Sequence, residues 1–163
     1  MGRIGSRAMV LKPIGRLRTP WRTIAACPRN GRLPETPPPC LAVVDPAWRA
    51  ALTGLDAFTH LILLYWLGPQ GRAARPLPTI RPPFDPRPRG LFGTRSPRRP
   101  NPIGVSVVRF EGFVAPGQLR VRYLDCRDGT PLLDIKPYLA TTDAEPEASM
   151  GWLSRTAAGK LSA

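Results

Sequence analysis

Twenty-two prolines in 163 residues limit the folds open to this chain more than any other feature. Proline lacks a backbone N–H and fixes φ at about −65°, so it interrupts helices and is excluded from the middle of a sheet. Ten of the prolines fall between positions 68 and 102, which rules out long helices and central strands there and predicts a long Pro/Arg-rich excursion. Residues 25–39 hold Cys27-Pro-Arg-Asn-Gly31 and then Pro34, Pro37, Pro38 and Pro39, and read as an ordered loop followed by a tether. The regular elements must lie in what remains. Strands are predicted at 9–19, 58–67, 105–113, 119–125 and 132–136, the third and fourth joined by a turn at Ala115-Pro-Gly117. The run from Phe58 to Leu67 is almost continuously apolar, as for a strand buried on both faces at the centre of a sheet. In 119–125, Leu119, Val121 and Tyr123 share one face while Arg120 and Arg122 share the other. Asp45-Pro46 reads as the capped start of one short helix that stops at Gly54. A second helix is predicted around 147–155, with Trp152 able to dock. The sum is a mainly β sheet or barrel with one or two short helices.

The length suits one domain with its own core. Residues 1–8 are expected to be an unstructured basic start, 9–142 the folded domain and 143–163 a tail. Three cysteines, Cys27, Cys40 and Cys126, form no Cys-x-x-Cys pair, and a single histidine cannot build a multi-histidine metal site. Neither a disulfide framework nor a metal is expected. Met9-Val10-Leu11 is too short for a signal-peptide core and 58–67 too short to span a bilayer, so a soluble cytoplasmic protein without membrane contact is expected.

The net charge is +13, with 21 arginines and 3 lysines. A polyanion such as RNA would bind such a chain through counterion release, although codon bias alone also enriches arginine. The distribution favours a partner. Eight arginines between positions 72 and 99 face one acid, Asp85, whereas six of the eleven acids lie beyond position 124.

Two blocks concentrate the chemistry, Gly93-Thr-Arg-Ser-Pro-Arg-Arg-Pro-Asn-Pro-Ile-Gly104 and Asp125-Cys-Arg-Asp-Gly-Thr-Pro-Leu-Leu-Asp-Ile-Lys-Pro-Tyr138. Each packs turn-forming residues against an apolar run, which is how a rigid ligand-facing loop is built. Arg95, Arg98 and Arg99 stand among prolines that stiffen them for bidentate capture of carboxylate or phosphate. Asn101 between two prolines either stabilises a turn or faces a ligand. Asp125, Asp128 and Asp134 do not have calcium-loop spacing. One suits an Asp-Gly turn, and Asp125 at a strand end suits a ribose or an amine. His60 in its apolar setting is a satisfied core residue or a proton acceptor. No Walker loop, dinucleotide fingerprint or nucleophile elbow occurs.

Together with Ile14-Gly-Arg-Leu-Arg-Thr-Pro20, Cys27-Pro-Arg-Asn30 and Gly54-Leu-Asp-Ala-Phe-Thr-His-Leu61, these blocks run in the order found in the TrmO (TsaA-like) tRNA methyltransferases, which the chain resembles over roughly residues 10–142. The resemblance implies a single-sheeted β-barrel that forms a homodimer and binds S-adenosylmethionine at the subunit boundary. It further implies methylation at N6 of threonylcarbamoyladenosine beside a tRNA anticodon. It places Arg29, Asn30, Arg95, Leu124 and Asp125 at the cofactor. Arg98, Arg99, Asn101, Lys136 and Tyr138 are expected to face the tRNA substrate, and His60 or Asp125 to take the acceptor proton. Asn30 replaces the family's usual glutamine, Arg127 stands where an apolar residue is common, and the extra C-terminal region of longer members is not present in this sequence. A same-fold methyltransferase for another acceptor, or a non-catalytic S-adenosylmethionine- or RNA-binding module, are the alternative readings.

Overall fold

The computed structural model describes residues 10–68, 77–83 and 85–155. The expected basic start at 1–8 lies outside them, as do Arg72 and Arg75 of the excursion. Eight strands occur in chain order: β1 (Gly15–Arg18), β2 (Cys40–Val44), β3 (His60–Trp66), β4 (Thr79–Ile80), β5 (Arg89–Gly90), β6 (Ile103–Ala115), β7 (Gln118–Arg122) and β8 (Pro131–Pro137). Six of them close into an antiparallel barrel in the order β1-β2-β7-β6-β3-β8. Closure leaves no free edge, and a barrel of few strands is filled by its own side chains. The filling is Leu17, Ala42, Val44, Leu61, Leu63, Tyr65, Val108, Phe110, Leu119, Val121, Leu124 and Leu132, with Cys40 and Cys126. β4 and β5 form a separate two-stranded ribbon within the proline-rich excursion.

Several sequence expectations are revised. β2 lies just beyond the tether, where the sequence predicts no strand because five residues after a proline cluster show too little alternation. β3 is buried on one face only: Leu61, Leu63 and Tyr65 point inward, and Ile62, Leu64 and Trp66 are half-buried on the outside. Closure explains this, since a barrel wall has one interior. The predicted helix at Asp45 is a 3-10 turn, Pro46–Leu52, in which the Asp45 side chain makes no cap. One helical turn, α1 (Ala140–Asp143), precedes the tail, and the helix predicted around 147–155 is a 3-10 turn, Gly151–Arg155. The Ala115-Pro-Gly117 hairpin is present, with Gly117 at φ 75° and its carbonyl accepting from Val44 N–H at 2.8 Å.

β7 also stops short of Asp125. At Tyr123 the backbone turns to φ 78°, the one positive value at a non-glycine residue among the described residues, and the alternation expected through Tyr123 ends there. A left-handed conformation at a tyrosine costs about 1–3 kcal/mol and persists only where the surroundings enforce it. Gly31 leaves room for it here, because a Cβ at that position would run into the Tyr123 carbonyl.

The excursion has its own small polar centre. Asp85 is 3% exposed and paired with Arg87 and Arg89. The Arg89 guanidinium holds its carboxyl down at about 2. Two of the arginines expected to face a polyanion are thereby engaged within the protein.

Candidate functional site

Where β7 turns out of the barrel it meets four other segments: the loop 29–32, the last residues of β3, the turn 95–99 and the start of β6. They enclose a cleft of about 570 Å³. The two motif blocks therefore meet in space, with Arg95 and Arg99 on one wall and Asp125 on another.

The 93–99 segment is held by its own bonds. Thr94 Oγ1–H donates to the Leu91 carbonyl at 2.7 Å and accepts from Ser96 N–H at 3.3 Å, while Ser96 Oγ accepts from Arg98 N–H at 3.3 Å. Arg99 is drawn back across the turn, Nη2–H donating to the Thr94 carbonyl at 2.8 Å. Its Nη1 is buried and has no hydrogen-bond partner among the described residues. A buried guanidinium nitrogen without an acceptor is costly.

In the same cleft, Tyr65 O–H donates to Asp125 Oδ1 at 2.9 Å and lies 2.8 Å from Ser106 Oγ. Burial raises the Asp125 carboxyl above the usual carboxylate range, opposed by the Tyr65 hydrogen bond and by the field of Arg95. Burial also raises the Tyr65 phenol. The outcome is a fixed carboxylate that holds a proton more readily than a solvated one. Gly104 belongs to the same construction: its Cα lies against the Tyr65 ring, where a Cβ would overlap the ring atoms. Arg32 stacks over the Tyr123 ring at 4.2 Å, and Val105 and Val107 add apolar wall. The cleft thus offers cations, one carboxylate, an amide at Asn30 and apolar surface, a donor set suited to a small zwitterion carrying hydroxyls and an aromatic base.

Of the residues singled out in the sequence, Arg29, Asn30, Arg95, Arg99 and Asp125 line the cleft. Leu124 is fully buried in the core between two lining residues. Arg98 and Asn101 are exposed on the arginine block. His60, Lys136 and Tyr138 gather elsewhere. His60 opens β3, five residues and about 17 Å from Tyr65 at some 3.4 Å per residue. There its Nδ1 meets Thr59 Oγ1 at 3.0 Å and its ring lies 6.4 Å from Tyr138. Lys136 pairs with Asp134 at 2.7 Å. Asp128 fastens its turn to β1, accepting Thr19 N–H at 3.1 Å and facing Arg18 at 3.3 Å. Among the three aspartates of the second block, only Asp125 lines the cleft.

Sequence reasoning missed Tyr65, Ser106, Tyr123 and the two glycines. A signal existed for the first pair: a tyrosine inside an apolar run needs a partner for its hydroxyl, and Ser106 is a polar residue on the inward face of β6. The two buried thiols add no nucleophile, since burial pushes Cys40 up to about 11 and Cys126 to about 12. Among the described residues no helix is long and apolar enough to cross a membrane.

The tRNA-methyltransferase O N-terminal domain family matches residues 16–144. A probable S-adenosyl-L-methionine-binding protein of Archaeoglobus fulgidus is 40% identical over 145 residues, covering 87% of this chain and 37% of its own length. The tRNA (adenine(37)-N6)-methyltransferase of Escherichia coli is 37% identical over 154 residues, covering 91% of this chain and 65% of its own. A crystal structure of TrmO superposes with a TM-score of 0.71 at 36% identity, over 88% of this chain and 64% of that one. This chain therefore spans between about a third and just under two thirds of these three relatives.

Proposed function

The chain belongs to the tRNA-methyltransferase O family, and from that premise we propose that it binds S-adenosylmethionine in the cleft and methylates N6 of threonylcarbamoyladenosine beside a tRNA anticodon, in the cytoplasm. The observation that carries the reading is the arrangement around one cleft of Asp125, Asn30, Arg95 and Arg99. The cofactor fits that donor set. Arg99 and Arg95 would receive its carboxylate, Asn30 a ribose hydroxyl, and Val105 and Val107 the adenine face.

When bound, S-adenosylmethionine supplies a methyl group on a sulfonium, open to in-line displacement. The protein's contribution to such a reaction is largely positioning, and the hydrogen-bonded 93–99 turn and the Gly104–Tyr65 contact make the walls rigid. The acceptor nitrogen carries a proton and a delocalised lone pair, so it needs a proton acceptor as the N–C bond forms. Asp125 takes that role, oriented by Tyr65 and raised by burial. His60 is too far along β3 to share it within one subunit. Outside the cleft, the RNA would meet Arg81 and Arg98, both exposed, and Phe92, which is 80% exposed with Arg99 5.7 Å over its ring. Cations beside an exposed aromatic are what a single-stranded loop stacks on.

We also propose a homodimer. Ile62, Leu64 and Trp66 on the outside of β3 stand in register with Val107, Val105 and Ile103 of β6. Val105 is 53% and Ile103 37% exposed, and the three β6 residues continue into the cleft. A second copy on this stripe would bring the cofactor to the subunit boundary. Val105→Glu should then convert a sedimenting dimer to monomer, and a wild-type chain that is monomeric at micromolar concentration removes this part of the reading.

The chemistry is tested by incubating the protein with radiolabelled S-adenosylmethionine and total tRNA from cells with or without the threonylcarbamoyl modification, then digesting the RNA to nucleosides. Label should appear only with modified tRNA, in one nucleoside that carries both groups. Label in a different nucleoside means another acceptor, and cofactor binding without label in any RNA means a binding module.

A further inference from the structure

Residues 145–155 lie beyond the family match, which ends at 144, yet they reach back to the site. In the 3-10 turn Gly151–Arg155, Trp152 Nε1–H donates to the Gly93 carbonyl at 2.8 Å. The indole also lies over the Arg89 guanidinium, 4.7 Å from its carbon to the ring centre, and Arg89 is itself paired with buried Asp85. One side chain of the tail thus grips the excursion at two points. The gripped carbonyl belongs to the residue before Thr94, and Thr94 holds the whole turn: its carbonyl accepts from Arg99 at 2.8 Å and its hydroxyl closes onto Leu91 at 2.7 Å. Arg95 and Arg99, the two cleft arginines of this block, follow within six residues of Gly93.

We propose that Trp152 is a positioning residue, clamping the 93–99 turn so that Arg95 and Arg99 are presented to the cleft before any ligand arrives. The functional half of this statement rests on reading the cleft as the S-adenosylmethionine site. The mechanism is preorganisation: a turn already held in its bound shape spends less binding energy on ordering. It also makes a segment outside the family's matched domain part of the cofactor site without touching the cofactor.

The test uses the full chain with Trp152→Ala and Trp152→Phe, the second keeping a ring over Arg89 but losing the N–H. In the ligand-free protein, exchange of the bonded amides of Thr94, Ser96, Arg98 and Arg99 should quicken about tenfold in Trp152→Ala, the loss of one hydrogen bond and one cation–π contact, while β3 and β6 amides keep their wild-type rates. S-adenosylmethionine should bind about tenfold more weakly, and about threefold more weakly in Trp152→Phe. Turnover at saturating cofactor should stay within about twofold of wild type, because a positioning residue acts here on KM and leaves kcat. Unchanged exchange at 94–99 overturns the clamp. Faster exchange with unchanged affinity overturns the positioning role, as does a fall in kcat at constant KM. A wild-type chain that fails to bind S-adenosylmethionine defeats the cofactor reading alone, and the exchange result still decides the clamp.

Discussion

Asp125→Asn should lower methyl-transfer turnover by about 10²–10⁴-fold, the usual contribution of a positioned proton acceptor, while changing cofactor affinity by less than about threefold. The amide keeps the shape of the carboxylate and can still accept from Tyr65 O–H, which now meets Asp125 at 2.9 Å. It loses only the capacity to take a proton. The pH dependence follows from burial, which raises the Asp125 carboxyl, against the Tyr65 hydrogen bond. The acidic limb of wild-type kcat should therefore lie above the ordinary carboxylate range and vanish in the variant. Stability should move the other way. A carboxyl whose folded pKa is raised binds more protons folded than unfolded, so its ionisation destabilises the fold as pH rises through and beyond the unfolded value of about 3.9. Asp125→Asn removes that penalty. Its melting temperature should equal or exceed that of wild type at neutral pH, and the difference should disappear below about pH 4. Intact turnover in single-turnover assays would sink the assignment, and so would a fall in cofactor affinity as large as the fall in kcat/KM.

The barrel was legible where alternation was long enough to count. β6, β7 and β8 were found within a few residues of their observed bounds, because 5 to 13 residues with inward apolar positions make a period-two signal. β2 escaped because Cys40–Val44 is entirely apolar, short and next to three prolines. Its inward set of Cys40, Ala42 and Val44 is visible only once β1 and β7 lie on either side. The site divides in the same way. Arg95 stands out in a stiff loop and Asp125 at a strand end, the family resemblance adds Arg29 and Asn30, and all four line one cleft. His60 stood out for its rarity, but a strand separates its two ends by its full length, and the motif containing His60 supplies the far end. Tyr65 and Ser106 were invisible as a pair because their contact spans 41 positions and depends on the β3–β6 register. The role of Tyr123 depends on backbone strain, which no residue type announces.

Replacing Arg99 should have the largest effect on cofactor binding. Arg99→Ala should weaken S-adenosylmethionine binding by about 30- to 1,000-fold, or about 2–4 kcal/mol, as for a buried charged hydrogen bond removed together with the field behind it. Nη2 is held by the Thr94 carbonyl at 2.8 Å and Nη1 is buried without an acceptor among the described residues, so the guanidinium is presented in one orientation at the cleft wall. Two consequences separate this account from simple charge attraction. Arg99→Lys should recover little, since an ammonium that bonds the Thr94 carbonyl has no second planar nitrogen to offer and one that reaches the cleft leaves that carbonyl open. Arg98→Ala removes the same formal charge from the neighbouring exposed position and should change cofactor affinity by less than about twofold, since solvent and salt screen it. Calorimetric titration of the three variants with S-adenosylmethionine decides the matter. Full recovery by lysine, or equal losses at positions 98 and 99, would mean that the cleft senses net charge and not the geometry of one buried guanidinium.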